Sequence, residues 1–269
     1  MADADLALIE QAEQVLVKQC VEGQGFKYWL PKPSPAGERR KFGYVIDDLA
    51  WAREHGYGGE LRRKRELARK TDPNLSYRAG LSPERRAAFG AVMAGAQNSV
   101  LSVELPNGLT VKTTRGGCFT EAQHALYGDF PAWFRASRIA DNLSSVYVAR
   151  VVADPRFTAA LRVWAACARE AGLPYGSPQE IRAGLPALLN GKNPANAHEL
   201  EVRLATAEAT CERRSALAQT GRDLSREHGA EARREYAGEL ETYRRLQAVA
   251  LSRARVIVNQ HSPTRGAQQ

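Results

Sequence analysis

Four cysteines, each on or beside a predicted helix and far apart in a 269-residue chain, limit what this sequence can become more than any other feature. None belongs to a Cys-x-x-Cys pair, so a zinc ribbon or a thioredoxin-like site, both of which need close pairs, has no basis. Two of the contexts repeat one punctuation. In QCVEGQGFKYW, residues 19–29, and ACAREAGLPYG, residues 166–176, a cysteine near a helix end is followed by glycine five residues on and tyrosine eight residues on. The residues are Cys20, Gly25, Tyr28 and Cys167, Gly172, Tyr175; Cys118 and Cys211 supply the other two contexts. Four cysteines admit three pairings, and four separate buried thiols packed as small hydrophobes are the competing arrangement. The choice bears on compartment, because disulfides persist outside the reducing cytosol.

The pattern between the cysteines is helical. Leu6, Ile9, Ala12, Leu16 and Cys20 recur at three- and four-residue spacing over 5–22, and Gly23 and Gly25 end that helix. The Pro- and charge-rich stretch 31–43 reads as a loop, followed by short helices over 45–55 and 59–70. A turn at TDPNLSYRAG leads to Ser82 as N-cap with Pro83 at N1, which predicts a helix over 83–94 stopped by Gly95. The one β signal is SVLSVEL and LTVKTT flanking Pro106-Asn107-Gly108, a hairpin over about 99–114. Helices follow over 119–127, 131–152, 156–171 and 178–189. From Pro194 to about Asn259 the chain is helix-forming almost throughout, with a break near Thr220–Leu224 that predicts a long C-terminal helical hairpin. In REYAGELETYRRLQAVALSRARVIV the apolar face is Tyr236, Leu240, Tyr243, Leu246, Val249 and Ala250, which reads as core packing against the preceding helix. The fold class is thus mostly α: a single multi-helix domain over 1–259 with one small hairpin, and a flexible tail over 260–269.

Five blocks in order carry a resemblance: CVEGQGFKYW, DPNLSYRAGLSPERRAAFGAVMAG, GGCFTEAQHALYGD, RVWAACAREAGLPYGSP and ELEVRLATAEATCERRSAL. Over roughly residues 10–255 the chain resembles a group of actinobacterial exported proteins, many of them lipoprotein-like, without an assigned activity. The relatives' blocks read Cys-Met-x-x-x-Gly-Phe-x-Tyr, Gly-Cys-x-x-Glu-Ala, Trp-x-x-Cys-Met-x-x-x-Gly and Ala-x-Ala-Asp-x-x-Cys. Here Val21 and Ala168 replace the Met of that pattern, Glu208 replaces its Asp, and the export signal or lipobox cysteine is not among the first residues. The resemblance implies two disulfides, Cys20–Cys118 and Cys167–Cys211, that staple helix ends to later elements, with Trp164 packed over the second. It also implies an extracytoplasmic setting. The start MADADLALIEQAEQVL, acidic and without an apolar h-region, taken alone points to the cytoplasm; it fits equally a mature chain headed by an added Met.

Candidate chemistry is sparse. Cys118, Glu121, His124 and Asp129 form the densest polar block, and a Cys–His pair can make a nucleophile and its base. Cys118 and His124 are six residues apart, so on one helix they point to different faces; the competing reading is a structural cysteine beside an exposed histidine. The histidines, at 55, 124, 198, 228 and 261, have no metal-binding spacing, and no phosphate-cradling glycine motif is present, so no metal and no cofactor is expected. Gly116-Gly117 before a helix is a weak anion-nest signal. The sharpest charge cluster is LRRKRELARK, with Arg62, Arg63, Lys64, Arg65, Arg69 and Lys70 as a candidate patch for phosphate, lipid headgroups or an acidic partner. A solvated helix face with Glu60 and Glu66 as partners explains it equally. Aromatics for base stacking are not interleaved, which disfavours nucleic acid.

Hydrophobic residues at 43% and charged residues at 25% are ordinary for a globular chain, and no apolar run is long enough for a transmembrane helix. The net charge of +8 favours anionic neighbours. The expected function is a non-catalytic extracytoplasmic binding or interaction protein, secreted or at the cell envelope, whose partner is a protein or an anionic envelope component. Two alternatives stand beside it: a cytoplasmic accessory protein whose basic face meets an acidic partner, and a thiol enzyme using Cys118 and His124.

Overall fold

A computed structural model of the chain describes residues 1–32, 40, 42–96 and 98–261. Most of the predicted loop 31–43 and, from residue 262 onward, the predicted tail lie outside the described residues. Helices α1 (Asp3–Gly23), α2 (Leu49–His55), α3 (Gly59–Lys70), α4 (Pro73–Ala79) and α5 (Pro83–Ala94) precede a hairpin of β1 (Val100–Glu104) and β2 (Thr110–Thr114). Next come α6 (Cys118–Tyr127), α7 (Phe130–Asn142), a 3-10 turn at Leu143–Val146, α8 (Val148–Ala153), α9 (Pro155–Glu170) and α10 (Pro178–Leu189). The chain ends in α11 (Pro194–Ser215), α12 (Leu217–His228), α13 (Ala230–Glu235) and α14 (Ala237–His261). The protein is mostly α with one antiparallel hairpin, in the register Glu104↔Thr110.

One local rule starts many of these helices. Asp72, Ser82, Asp154, Ser177 and Asn193 each stand before a proline at N1, and each side chain accepts a backbone N–H of the first turn. Proline's fixed φ suits N1, where its missing N–H costs nothing, and the capping oxygen satisfies a donor the helix cannot. The chain divides into two compact units: residues 1–39, 69–143 and 233–269, and residues 40–68 and 144–232.

In the first unit α1 packs on α14 and α6, and α14 also packs on α7. Ile9 and Ala12 of α1 meet Leu126 and Tyr127 of α6 and Leu246, Ala250, Ala254 and Val258 of α14. The rings of Tyr127, Trp133 and Tyr243 stack in series, with centroids 3.7 and 5.4 Å apart. Cys20 at the end of α1 is bonded to Cys118 at the start of α6. Gly117 has φ +88°, and a Cβ there would stand 2.3 Å from the Gly95 nitrogen. Gly117 therefore serves a close backbone crossing with the end of α5, whereas a Cβ on Gly116 would meet nothing within 4 Å.

In the second unit α11 is central, packing on α2, α9, α10 and α12. Trp164 is fully buried and donates its indole N–H to the Glu208 carbonyl, 3.2 Å away. Around it gather Val45, Val151, Phe157, Ile181, Leu204, Leu217 and Leu224, with Cys167 of α9 bonded to Cys211 of α11.

Three segments differ from the sequence expectation. The stretch read as a turn at 71–80 contains α4. The helix predicted over 131–152 is divided, because Asn142 turns its side-chain N–H₂ onto the Arg138 carbonyl (2.8 Å) and Ser144 and Ser145 follow, residues that compete with helical hydrogen bonding. The C-terminal break falls at Ala216, in the left-handed region at φ 51°, with a further break at Gly229, and α12 runs through 220–224.

Candidate functional site

The sequence-predicted candidates are dispersed. Cys118 is bonded to Cys20 and carries no thiol, so the thiol-enzyme reading loses its nucleophile. Glu121 Oε2 lies 3.2 Å from Cys20 Sγ, and His124 is exposed on α6. Among the described residues no group of three or more His, Cys, Asp or Glu side chains is arranged to hold a metal ion. Arg62, Arg63, Lys64, Arg65, Arg69 and Lys70 all lie exposed along α3. Lys64 pairs with Glu60 at 3.1 Å, whereas Arg62 turns back toward a different feature.

That feature is built from α11 outward, within the second unit. Glu201, Glu208 and Glu212 stand at spacings of seven and four, hence on one face, and this face is buried. Glu201 Oε2 accepts the N–H groups of Tyr57 (3.2 Å) and Gly59 (2.8 Å), where α3 begins and the helix dipole favours a carboxylate. The turn is made to fit: a Cβ on Gly59 would meet Glu201 Oε1 at 2.0 Å, and one on Gly56 (φ +58°) would meet Glu201 Cβ at 2.7 Å. Glu208, fully buried, accepts Ile46 N–H (2.7 Å) and Arg182 Nη2 (2.6 Å) on one oxygen and the Tyr57 hydroxyl (2.7 Å) on the other. Burial pushes this carboxyl above the ordinary carboxylate range, and Arg182 with the hydrogen-bond donors pulls it back. Burial and the neighbouring Glu208 hold the Tyr57 phenol far above its ordinary value.

Over this network lies a cavity of about 550 Å³. Arg40, Arg62 and Arg182 line it together with Phe42, Trp51 and Tyr57, and Ile46, Leu185, Pro186 and Leu189 give it an apolar wall. Arg40 is paired with Asp48 at 2.5 Å and lies over the Phe42 ring. Arg62 donates from Nη1 to the Tyr57 carbonyl (2.6 Å) and stands 3.6 Å from Glu201 Oε1. The guanidiniums reach the cavity wall, while Glu201 and Glu208, at 2% and 0% exposure, sit behind it. The cleft can bind and orient an anion; its wall offers arginine forks and apolar surface rather than an activated nucleophile.

Sequence reasoning had two of these residues in view: Arg62, as part of the LRRKRELARK cluster, and Glu208, in the Ala-x-Ala-Glu-x-x-Cys block, the latter as a departure from a pattern rather than as a hub. The findable signal was charge at core positions: Glu201 and Glu208 occupy the apolar phase of α11, and such a carboxylate needs partners. Compared with family models, curated proteins and solved structures, the chain matches none of them. Among the described residues no helix is long and apolar enough to cross a membrane.

Proposed function

We propose that this chain is a non-catalytic binding protein of an oxidising, extracytoplasmic setting, secreted or at the cell envelope, whose partner is anionic. The observation that carries the reading is the pair of disulfides, one in each compact unit, which together engage all four cysteines. Structural disulfides are a feature of exported proteins and are rare where glutathione keeps thiols reduced. The net charge of +8 and the arginine-lined cleft support an anionic partner. The resemblance to actinobacterial exported, lipoprotein-like proteins points the same way. The exposed cations of α3 add positive charge beyond Arg62, and a second reading, an acidic protein docked on α3, uses the same helix.

Thiols are to be counted on denatured protein prepared without reductant, and the folded protein tested for retention on a phosphate-bearing polymer such as poly(glycerol phosphate). No reactive thiols before reduction, four after it, and retention that weakens with salt are expected. Four free thiols in protein made in an oxidising compartment would remove the setting. Absence of retention at low salt would remove the anionic partner.

A further inference from the structure

The cleft of the second unit carries a narrower statement about its ligand. Helix α10 presents Arg182, Leu185, Pro186 and Leu189 at i, i+3, i+4 and i+7, a single stripe with a cation at one end and apolar side chains over the next two turns. The stripe is about 10 Å long, at 1.5 Å per residue. A guanidinium has five N–H donors in a rigid fork. Arg182 places Nη2 on Glu208 and Nη1 on the Gly43 carbonyl, and Arg62 places Nη1 on the Tyr57 carbonyl. These contacts hold both forks in place while using a fraction of their donors. The carboxylates that hold them are behind the wall, so a ligand meets guanidinium surface first. A bare inorganic anion would leave the leucine wall in water, and a neutral hydrocarbon would leave the remaining N–H donors of the two guanidiniums, already paired on their far side with Glu201 and Glu208, without acceptors. The volume, about 550 Å³, suits an organic molecule of moderate size.

We propose that this cleft binds a single-tailed organic anion, with a phosphate or carboxylate head on Arg62 and Arg182 and an apolar chain or ring along Leu185, Pro186 and Leu189. The inference rests on the anionic-partner reading above and specifies its chemistry.

The full chain is titrated by calorimetry with octyl phosphate below its micellar concentration, and in parallel with octanol and inorganic phosphate. One saturable site for octyl phosphate is expected, with each half-ligand at least about tenfold weaker. Arg62→Ala should weaken octyl phosphate about tenfold by removing a charged donor. Leu189→Ser should weaken octyl phosphate while leaving inorganic phosphate unchanged. Both side chains are partly exposed, so circular dichroism and a thermal melt establish that each variant folds. Octyl phosphate binding no better than inorganic phosphate would overturn the amphiphile and leave the anionic-partner reading standing. Silence from every ligand, with no retention on poly(glycerol phosphate), would overturn both. Undiminished octyl phosphate binding in both variants would place the ligand elsewhere and overturn the site. Phosphatidylglycerol vesicles that displace octyl phosphate would identify a membrane lipid as the source of the head and tail; vesicles without effect alongside saturable octyl phosphate binding would identify a soluble amphiphile.

Discussion

Glu208 gathers an Arg182 guanidinium, a Tyr57 hydroxyl and an Ile46 N–H around one buried carboxylate, and each donor depends on it. Truncation by Glu208→Ala would strand the Tyr57 hydroxyl and the Ile46 N–H and leave Arg182, partly exposed, with the Gly43 carbonyl alone, so stability should fall by about 3 kcal/mol, the low end of the cost of breaking one side of a buried ion pair. Tyr57→Phe removes a single hydroxyl and should cost about 1 kcal/mol. Urea unfolding of both variants tests the ranking, and equal losses would mean that the carboxylate is not the hub. Two carboxylates of this unit respond to pH with opposite signs. Glu208 is raised, so above the ordinary value near 4.5 the folded chain still holds a proton that the unfolded chain has released, and this group removes stability as pH rises. Asp154 is lowered, first by its hydrogen bonds from the Arg156 side chain and backbone and then by His228, with Glu227 nearby on the same arginine. Its contribution is fully present above the ordinary value of 3.8 and is lost as pH falls below it. Asp154→Asn keeps a capping oxygen and loses the charge. The melting temperature of the wild type should exceed that of the variant near neutral pH, and the gap should narrow progressively as pH falls below 3.8. A gap unchanged from pH 7 to pH 2 would contradict this.

At the scale of elements, the starts were legible and the interruptions were less so. Ser82-Pro83 and Asp154-Pro155 announce helices through two local rules, a capping oxygen and a fixed φ, and α5 and α9 begin there. Asp72-Pro73 carries the same signature, yet α4 is seven residues long and offers too little apolar periodicity to be seen. Ala216 shows the opposite difficulty. Nothing in alanine marks a helix end, yet exposed Ala216 takes φ 51° between α11 and α12. A left-handed conformation is costly for any residue with a Cβ, so Ala216→Gly should stabilise the protein by about 1 kcal/mol. An unchanged or lower unfolding midpoint in urea would show that the αL strain is absent or compensated. The turn before α3 predicts the reverse. At Gly56 a Cβ meets Glu201 Cβ and backbone within 2.9 Å at φ +58°, with no flexible side-chain end to yield. Gly56→Ala should therefore cost about 2–4 kcal/mol, and Gly58→Ala, whose Cβ would meet nothing nearer than 3.9 Å, should cost the backbone part alone.

Over the whole molecule, the cysteine contexts by themselves left three pairings open and only the resemblance suggested where covalent bracing lies, whereas the arginine cleft was hidden because its parts come from 40–62 and 182–208, brought together only by packing on α11. Charge clusters are visible in sequence when they are contiguous, as on α3, and invisible when one guanidinium comes from each of three segments. The two disulfides are bonded alike but differ in access. Cys167 and Cys211 are 4% and 1% exposed in the core around Trp164; Cys118 is equally buried at 1%, but its partner Cys20 is half-buried and borders a cavity of about 300 Å³, so access comes through the Cys20 sulfur. Exchange and reduction require the reductant to touch a sulfur, so access sets the order. Glu121 Oε2, 3.2 Å from Cys20 Sγ, adds a negative charge that repels an incoming thiolate but not a neutral phosphine. Under native conditions a neutral phosphine should open Cys20–Cys118 first, and Cys167–Cys211 should wait for unfolding. Timed alkylation with peptide mapping reads this directly: label at Cys20 and Cys118 alone at early times is the expected result, and simultaneous label at all four would contradict it. Opening the first bridge releases a loop of 98 residues, worth roughly 5 kcal/mol on the chain-entropy model against roughly 4 for the 44-residue loop. The half-reduced protein should therefore already unfold at lower urea, so that in a reducing environment loss of the accessible bridge exposes the buried one.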